Sequence, residues 1–204
     1  MLLVGTYHSP FARRVAVALI SRGIPYEHED LNGYANPLRA RLLNPVGKVP
    51  LLVIDHGETL IDSAAILDHI DELVGADSAL APPSGPDRRA VLRLSAVAAT
   101  VCEQCTACFF EEQRAESDIQ ADLVIRYKLA IRGGLEALDA ASGSDGRIGG
   151  KPLSIATISA VVAFDYVAMT LPDLNPAEIA PSLAAVAAAL GDDPAFARTH
   201  PRSL

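Results

Sequence analysis

The stretch from Gly75 to Pro86 reads GADSALAPPSGP and divides the chain into halves with different local patterns. Three prolines and two glycines in twelve residues interrupt both helix and strand, as interdomain segments do. Upstream, short apolar runs alternate with helical periodicity. Leu2 to Thr6 reads as a buried strand, and Phe11 to Arg22 as a helix closed by Gly23 and Pro25. Tyr26 to Leu31 is a second strand, and Pro37 to Leu43 a short helix stopped by Asn44-Pro45. VPLLVID (Val49 to Asp55) and Glu58 to Ile61 flank a turn at His56-Gly57, the pattern of an antiparallel hairpin. Ser63 to Val74 places Ile66, Leu67, Ile70 and Leu73 on one helical face. The order is β-α-β-α-β-β-α.

Downstream no strand pattern of comparable strength follows. Arg88 to about Glu116 is helical. Ile119 to Ala141 carries Leu123, Tyr127, Ile131, Leu135 and Leu138 at steps of four and three. A polar, Gly-rich connection, Ser142 to Pro152, leads to Ile155–Met169, apolar nearly all round and read as a buried central helix. Pro181 to Leu190 is an Ala-rich helix. The expected architecture is an α/β domain over residues 1–76, a linker over 77–86 and an all-helical domain over 87–204.

Charge narrows the partners. A net charge of -8 with 17 Lys+Arg, no Trp and few aromatics argues against nucleic acid and anionic membranes. The N-terminus has no basic lead and too short an apolar run for a signal peptide, and Asp165 interrupts the longest apolar stretch. The three cysteines fall in VCEQCTAC, which suggests no disulfide framework and a reducing, cytoplasmic setting. The C-x₂-C-x₂-C spacing of Cys102, Cys105 and Cys108 lacks the fourth cysteine and proline of an iron–sulfur run. Steps of three spread the sulfurs too widely for a zinc site, so no metal is expected and apolar filling is the favoured role.

Ser9 begins the first helix, with Pro10 after it. That is an ordinary capping pattern. Its frame, S-P-F-A, is also that of a C-P-F-C thiol–disulfide site without its sulfurs. Asp62-Ser63 likewise opens a helix and reads alone as a cap.

Three segments, SPFARRV, NPVGKVPLLV and LIDSAAILDHID, occur in an order and spacing that resembles a cytosolic glutathione S-transferase, in particular the small bacterial members with a serine at the N-terminal site. The likeness runs the length of the chain, through IATISA and PAFARTHP. It implies a thioredoxin-like domain followed by an all-α domain. It also implies a homodimer, glutathione as co-substrate, and a small apolar electrophile held by the helical domain.

In that frame Ser9 stabilises the glutathione thiolate. Lowering a thiol pKa from about 8.5 by about 2 units takes roughly 2.7 kcal/mol. A hydroxyl hydrogen bond to a charged acceptor contributes about 1.5–3 kcal/mol, and a helix N-terminus about 0.3–1 kcal/mol. No base is then required. Tyr7, at the end of the first strand, is the rival hydroxyl, and His8 receives no role. The resemblance makes the Val49-Pro50 bond cis, presenting the Val49 N–H and C=O to the cysteinyl backbone of glutathione as a short antiparallel strand. Asp62 pairs with the γ-glutamyl ammonium, and Ser63 with the carboxylate at a helix N-terminus. Asp62 stands where the family often has Glu. Asn36 replaces a lysine common before the second helix, leaving Lys48 or Arg41 for the glycine carboxylate. Phe11 either walls the thiol pocket, the favoured reading, or belongs to the core. A glutathione-dependent thiol transfer, favoured by a cysteine at position 9, and a non-catalytic binding module are the alternative functions. In the helical half, Ser154 followed by Thr157 suggests a shortened capping box.

Overall fold

A computed structural model describes residues 1–143, 148 and 153–201. The chain divides into two compact units: Met1–Pro83 together with the chain from Gly191, and Ser84–Leu190.

The first unit carries a four-stranded sheet of order β2-β1-β3-β4. The strands are β1 (Leu2–Val4), β2 (Glu27–Glu29), β3 (Leu51–Val53) and β4 (Thr59–Ile61). β1 and β3, both Leu-Leu-Val, lie at the centre, where near-continuous apolar runs can be covered on both faces. β2 is Glu-His-Glu and forms an edge, where charge discourages further pairing. β1 and β2 are parallel, with Leu3 opposite His28, and so need a helical crossover. β1 runs antiparallel to β3, with Leu3 opposite Leu52, and β3 antiparallel to β4, with Leu52 opposite Leu60. The expected hairpin turn is a 3₁₀ turn, Asp55–Gly57, closed by the Ile54 N–H on the Glu58 carbonyl at 2.9 Å.

The crossover is α1 (Pro10–Ser21); α2 (Pro37–Leu43) and α3 (Ser63–Val74) complete the β-α-β-α-β-β-α order. α1 packs against α3 and against α9 (Pro194–Ala197). That double cover leaves α1 buried around most of its circumference, including Arg13 and Arg14. On α3, Ile66, Leu67 and Ile70 are buried as the periodicity requires, but Leu73 is 52% exposed. Asp71 is buried instead. Its two carboxylate oxygens accept the main-chain N–H groups of Leu80 (2.6 Å) and Ala81 (2.9 Å), pinning the Pro-rich segment to the helix.

The second unit is helical: α4 (Gly85–Glu112), α5 (Ala121–Ala140), α6 (Ile155–Thr170), α7 (Pro176–Ile179) and α8 (Pro181–Leu190). α4 packs against both α5 and α6. Ile131, Leu135 and Leu138 of the α5 stripe are fully buried, and Leu123 and Tyr127 half-buried. Gly134 brings α4 and α5 close, since a Cβ there would collide with Val101. α6 is buried through Ala163 and is capped by Ser154, whose hydroxyl accepts the Thr157 N–H at 3.1 Å. The reciprocal half of a capping box is replaced, because the Ser154 and Thr157 hydroxyls both donate to the Ile148 carbonyl. Asp165, where the buried part of α6 ends, is half-exposed. The Gly-rich connection expected over Ser142–Pro152 lies mostly outside the described residues. Among the described residues, no single helix is long and apolar enough to cross a membrane.

Candidate functional site

Ser9 sits between β1 and α1. Its N–H donates to the Thr6 carbonyl at 3.0 Å, and its own carbonyl accepts the Arg13 N–H at 2.9 Å. It therefore occupies the N-cap position in extended conformation, with Pro10 at the first helical position. Its hydroxyl makes no capping bond. Among the described residues that hydroxyl has no hydrogen-bond partner, and Ser9 is only partly buried. The first turn of α1 carries no acidic residue. A hydroxyl and the first-turn N–H groups are thus available together at the positive end of a helix, a suitable setting for an anion.

Tyr7, two residues earlier, has partners for both its ring and its hydroxyl. It is buried, and its hydroxyl lies 2.8 Å from the hydroxyl of Tyr26. Its ring stacks on His28, with centroids 4.1 Å apart and planes 1° from parallel. His28 Nε2 in turn lies 2.7 Å from the Gly5 carbonyl oxygen, which accepts. Burial, then the bond to Tyr26, pushes the Tyr7 phenol well above the ordinary tyrosine range. His8 is exposed and lies 3.3 Å from the Thr6 hydroxyl.

The Val49-Pro50 bond is cis, as the resemblance implies. Gly5 lets the β1–α1 turn approach this segment. Its φ is +146°, and a Cβ there would lie 3.0 Å from Ala12 Cβ and 3.3 Å from Val49 Cβ. Val49 itself is half-buried, and its main chain has no hydrogen-bond partner among the described residues. Asn44, which sequence reasoning read only as a helix stop, shapes the segment. It is buried, its amide donates to the Lys48 carbonyl at 2.8 Å, and its side-chain oxygen accepts the Val46 N–H at 3.1 Å. The Asn-Pro step of NPVGKVP was the available signal, because Asn side chains bond to the chain two residues on.

Asp62 caps α3: its Oδ1 accepts the Ala64 N–H at 2.8 Å, and the residue is exposed with φ +69°. That backbone region is sparsely populated for a residue with a side chain and tends to occur at functional positions. Ser63 is buried, and its oxygen accepts from Arg14 Nε at 3.0 Å and Nη2 at 2.6 Å. Arg14 was missed as a site residue. Its signal was a pair of arginines inside an otherwise apolar helix, since a buried charge needs partners.

The remaining candidates lie nearer the surface. The Asn36 amide turns back to the Asn32 carbonyl at 3.4 Å. Lys48 is exposed and Phe11 half-buried. Arg41 is exposed and lies against Gly47, where a Cβ would come 3.0 Å from its Cγ.

In the helical unit, Cys102, Cys105 and Cys108 are all buried thiols outside any disulfide among the described residues. Burial, then Cys108, pushes the Cys105 thiol up to about 12, and burial also raises Cys108. No group of three or more His, Cys, Asp or Glu is placed to hold a metal among the described residues. Tyr166 lies 2.9 Å, hydroxyl to hydroxyl, from Thr106, and burial pushes its phenol up to about 12.

Residues 3–78 match the family model described as the glutathione S-transferase N-terminal domain. The chain is 30% identical over 166 residues to the uncharacterized GST-like protein YibF of Escherichia coli, covering 81% of each. It is 38% identical over 96 residues to glutathione S-transferase U6 of Arabidopsis thaliana, 46% of this chain and 41% of that one. Among solved structures, a glutathione S-transferase from Methylobacterium radiotolerans in complex with glutathione sulfonate superposes with a TM-score of 0.91 at 28% identity, covering 98% of this chain and 94% of that one. A glutathione transferase family member from Pseudomonas fluorescens with bound glutathione superposes with a TM-score of 0.87 at 29% identity, covering 98% of both chains.

Proposed function

The chain belongs to the glutathione S-transferase family, and we propose that it joins the sulfur of glutathione to small apolar electrophiles. Glutathione binds the thioredoxin-like unit, its thiol proton leaves to solvent, and the thiolate is held by the Ser9 hydroxyl and the first turn of α1. The sulfur lone pair then attacks the electrophilic carbon, forming a thioether as the leaving group departs with its electron pair.

The observation that carries this reading is that the Ser9 hydroxyl makes no cap bond and has no hydrogen-bond partner among the described residues. A serine followed by proline at a helix start ordinarily spends its oxygen on a cap. Here the oxygen is unspent, while the rival Tyr7 hydroxyl is paired with Tyr26. Val49, whose main chain is open beside cis-Pro50, pairs with the cysteinyl backbone. Asp62 receives the γ-glutamyl ammonium and Ser63 the carboxylate. Lys48 or Arg41 supplies the cation for the glycine carboxylate, Asn36 makes a neutral contact there, and Phe11 walls the thiol. The enzyme acts as a cytoplasmic homodimer in detoxification. Thiol transfer is the weaker alternative, because position 9 lacks sulfur and the three thiols elsewhere are buried.

The test is the pH dependence of conjugation with a chlorodinitrobenzene. Ser9→Ala should raise the pH of half-maximal kcat by about 1–2 units, the equivalent of one charge-assisted hydrogen bond. An unchanged profile removes Ser9 from the mechanism. A wild-type protein that is retained on immobilised glutathione but conjugates nothing would be the binding module instead.

A further inference from the structure

The segment around α2 carries an apolar row that its own unit leaves exposed. Main-chain bonds at the helical step of four run from the Asn36 N–H to the Asn32 carbonyl (2.9 Å), from Ala40 to Asn36 (3.1 Å) and from Asn44 to Ala40 (2.9 Å). Helical spacing therefore extends from Asn32 to Asn44, beyond the ends of α2 itself. Ala40 and Asn44 stand on the buried side. Two positions further round, about 200° away, Tyr34, Leu38 and Leu42 form an outer row and are 73%, 78% and 82% exposed. Val46, just after the helix, is also exposed. Apolar residues exposed singly are ordinary, but a contiguous row of them marks a contact surface.

The charges beside the row indicate the kind of partner. The net charge of -8 is unevenly spread, and no acidic residue occurs from Leu31 to Ile54. That segment holds Arg39, Arg41 and Lys48, all exposed. On the helix Arg39 and Arg41 stand on opposite sides of the Leu38–Leu42 row, each about 80° from its centre. Arg39 is engaged by Glu29 of β2, Nη2 to Oε1 at 3.2 Å. Arg41 and Lys48 have no ion pair among the described residues. In the function proposed above one of these two meets the glycine carboxylate, which leaves the other.

Shape and charge then select the occupant. A second copy laid two-fold on this row would set Arg39 and Arg41 against the same residues of its partner, because such a contact is self-complementary. A stable protein interface takes about 20–30 residues a side, and a convex row of three side chains supplies a small part of that. An anionic lipid surface requires neither a pocket nor a shape match. It takes aliphatic and tyrosyl side chains at the headgroup level, and its phosphates meet the cations beside them.

We infer that the outer row of α2, Tyr34, Leu38 and Leu42 with its flanking cations, is a peripheral docking site for an anionic lipid surface. The contact is reversible, since so short a row inserts little apolar area and the acidic remainder of the chain opposes closer approach.

Sedimentation of the full chain with vesicles tests it, using phosphatidylcholine alone and an equal mixture of phosphatidylglycerol with phosphatidylcholine. Wild type should partition onto the anionic vesicles about tenfold more strongly than onto the neutral ones, as one or two cations near such a surface provide. Raising the salt from about 0.05 M to about 0.5 M should remove most of that preference. The double variant Leu38→Gln, Leu42→Gln should bind the anionic vesicles about tenfold more weakly. Its urea midpoint should stay at the wild-type value, because both leucines are exposed. Equal binding to the two kinds of vesicle overturns the inference, as does undiminished binding by the double variant. Binding to neither kind overturns it as well, and leaves the row to a protein partner.

Discussion

The hydroxyls of Tyr7 and Tyr26 lie 2.8 Å apart, so the Tyr7 phenol has a partner within the thioredoxin-like unit.

Tyr7→Phe should therefore leave the pH profile of conjugation where it is. It should destabilise the protein by about 0.5–1.5 kcal/mol, the net worth of one partly buried hydrogen bond. Urea unfolding and the pH–rate profile check the two parts. A rise of about 2 units in the apparent pKa of the bound thiol would transfer the activating role from Ser9 to Tyr7.

Ser9→Cys should convert the site to thiol–disulfide chemistry. A thiol at the start of α1 gains from the helix N-terminus and should ionise below the usual cysteine range. Incubation with oxidised glutathione should form a mixed disulfide at position 9, seen by mass spectrometry, with one reduced glutathione released. Wild type under the same conditions should stay unmodified, because its three thiols are buried.

Gly133 and Gly134 should respond in opposite directions to alanine. A Cβ at Gly133 meets nothing within 4 Å, so Gly133→Ala should stabilise α5 by about 0.5–1 kcal/mol through backbone entropy alone. At Gly134 the added methyl runs into Val101, and Gly134→Ala should destabilise by about 1–3 kcal/mol. Denaturant midpoints of the two variants decide it. Equal effects would mean that α4 and α5 are not in close contact at Val101.

Cys105 should be inert in the native protein. Its thiol is raised to about 12, first by burial and then by Cys108. Iodoacetamide at pH 8 should modify it only after unfolding. The folded state holds this proton to higher pH than the unfolded state does. Its contribution to stability is thus complete below the unfolded thiol value and declines as pH rises from there toward about 12. Alkylation of Cys105 as fast as in the unfolded chain would contradict the burial.

The element order was readable because it follows from local physics. The boundaries of α2 and α3 coincide with the sequence reading, since Pro37 and Ser63 mark their starts and Asn44 and Gly75 their ends. Leu73 was misplaced for a nonlocal reason. The α3 periodicity assigns it to the core, but the following segment folds back to Asp71, and that contact buries a carboxylate where periodicity predicted only apolar cover.

The residue types at the site were likewise present in the sequence, as three short motifs with their own turn and cap chemistry. Their use was not. Whether Ser9 caps its helix or keeps its hydroxyl free depends on how the β1–α1 turn is held, and that turn lies against Ala12 and Val49 through Gly5. Whether Tyr7 is available depends on Tyr26 and His28, some twenty residues away. Arg14 meets Ser63 of the third motif because the fold packs α1 against α3. The sequence by itself determined the elements, because capping, turn formation and periodicity act over a few residues. Tertiary structure decided which polar groups were spent internally and which were left for a ligand, because hydrogen bonds in a buried setting form between whatever groups the packing brings within 3 Å or so of one another.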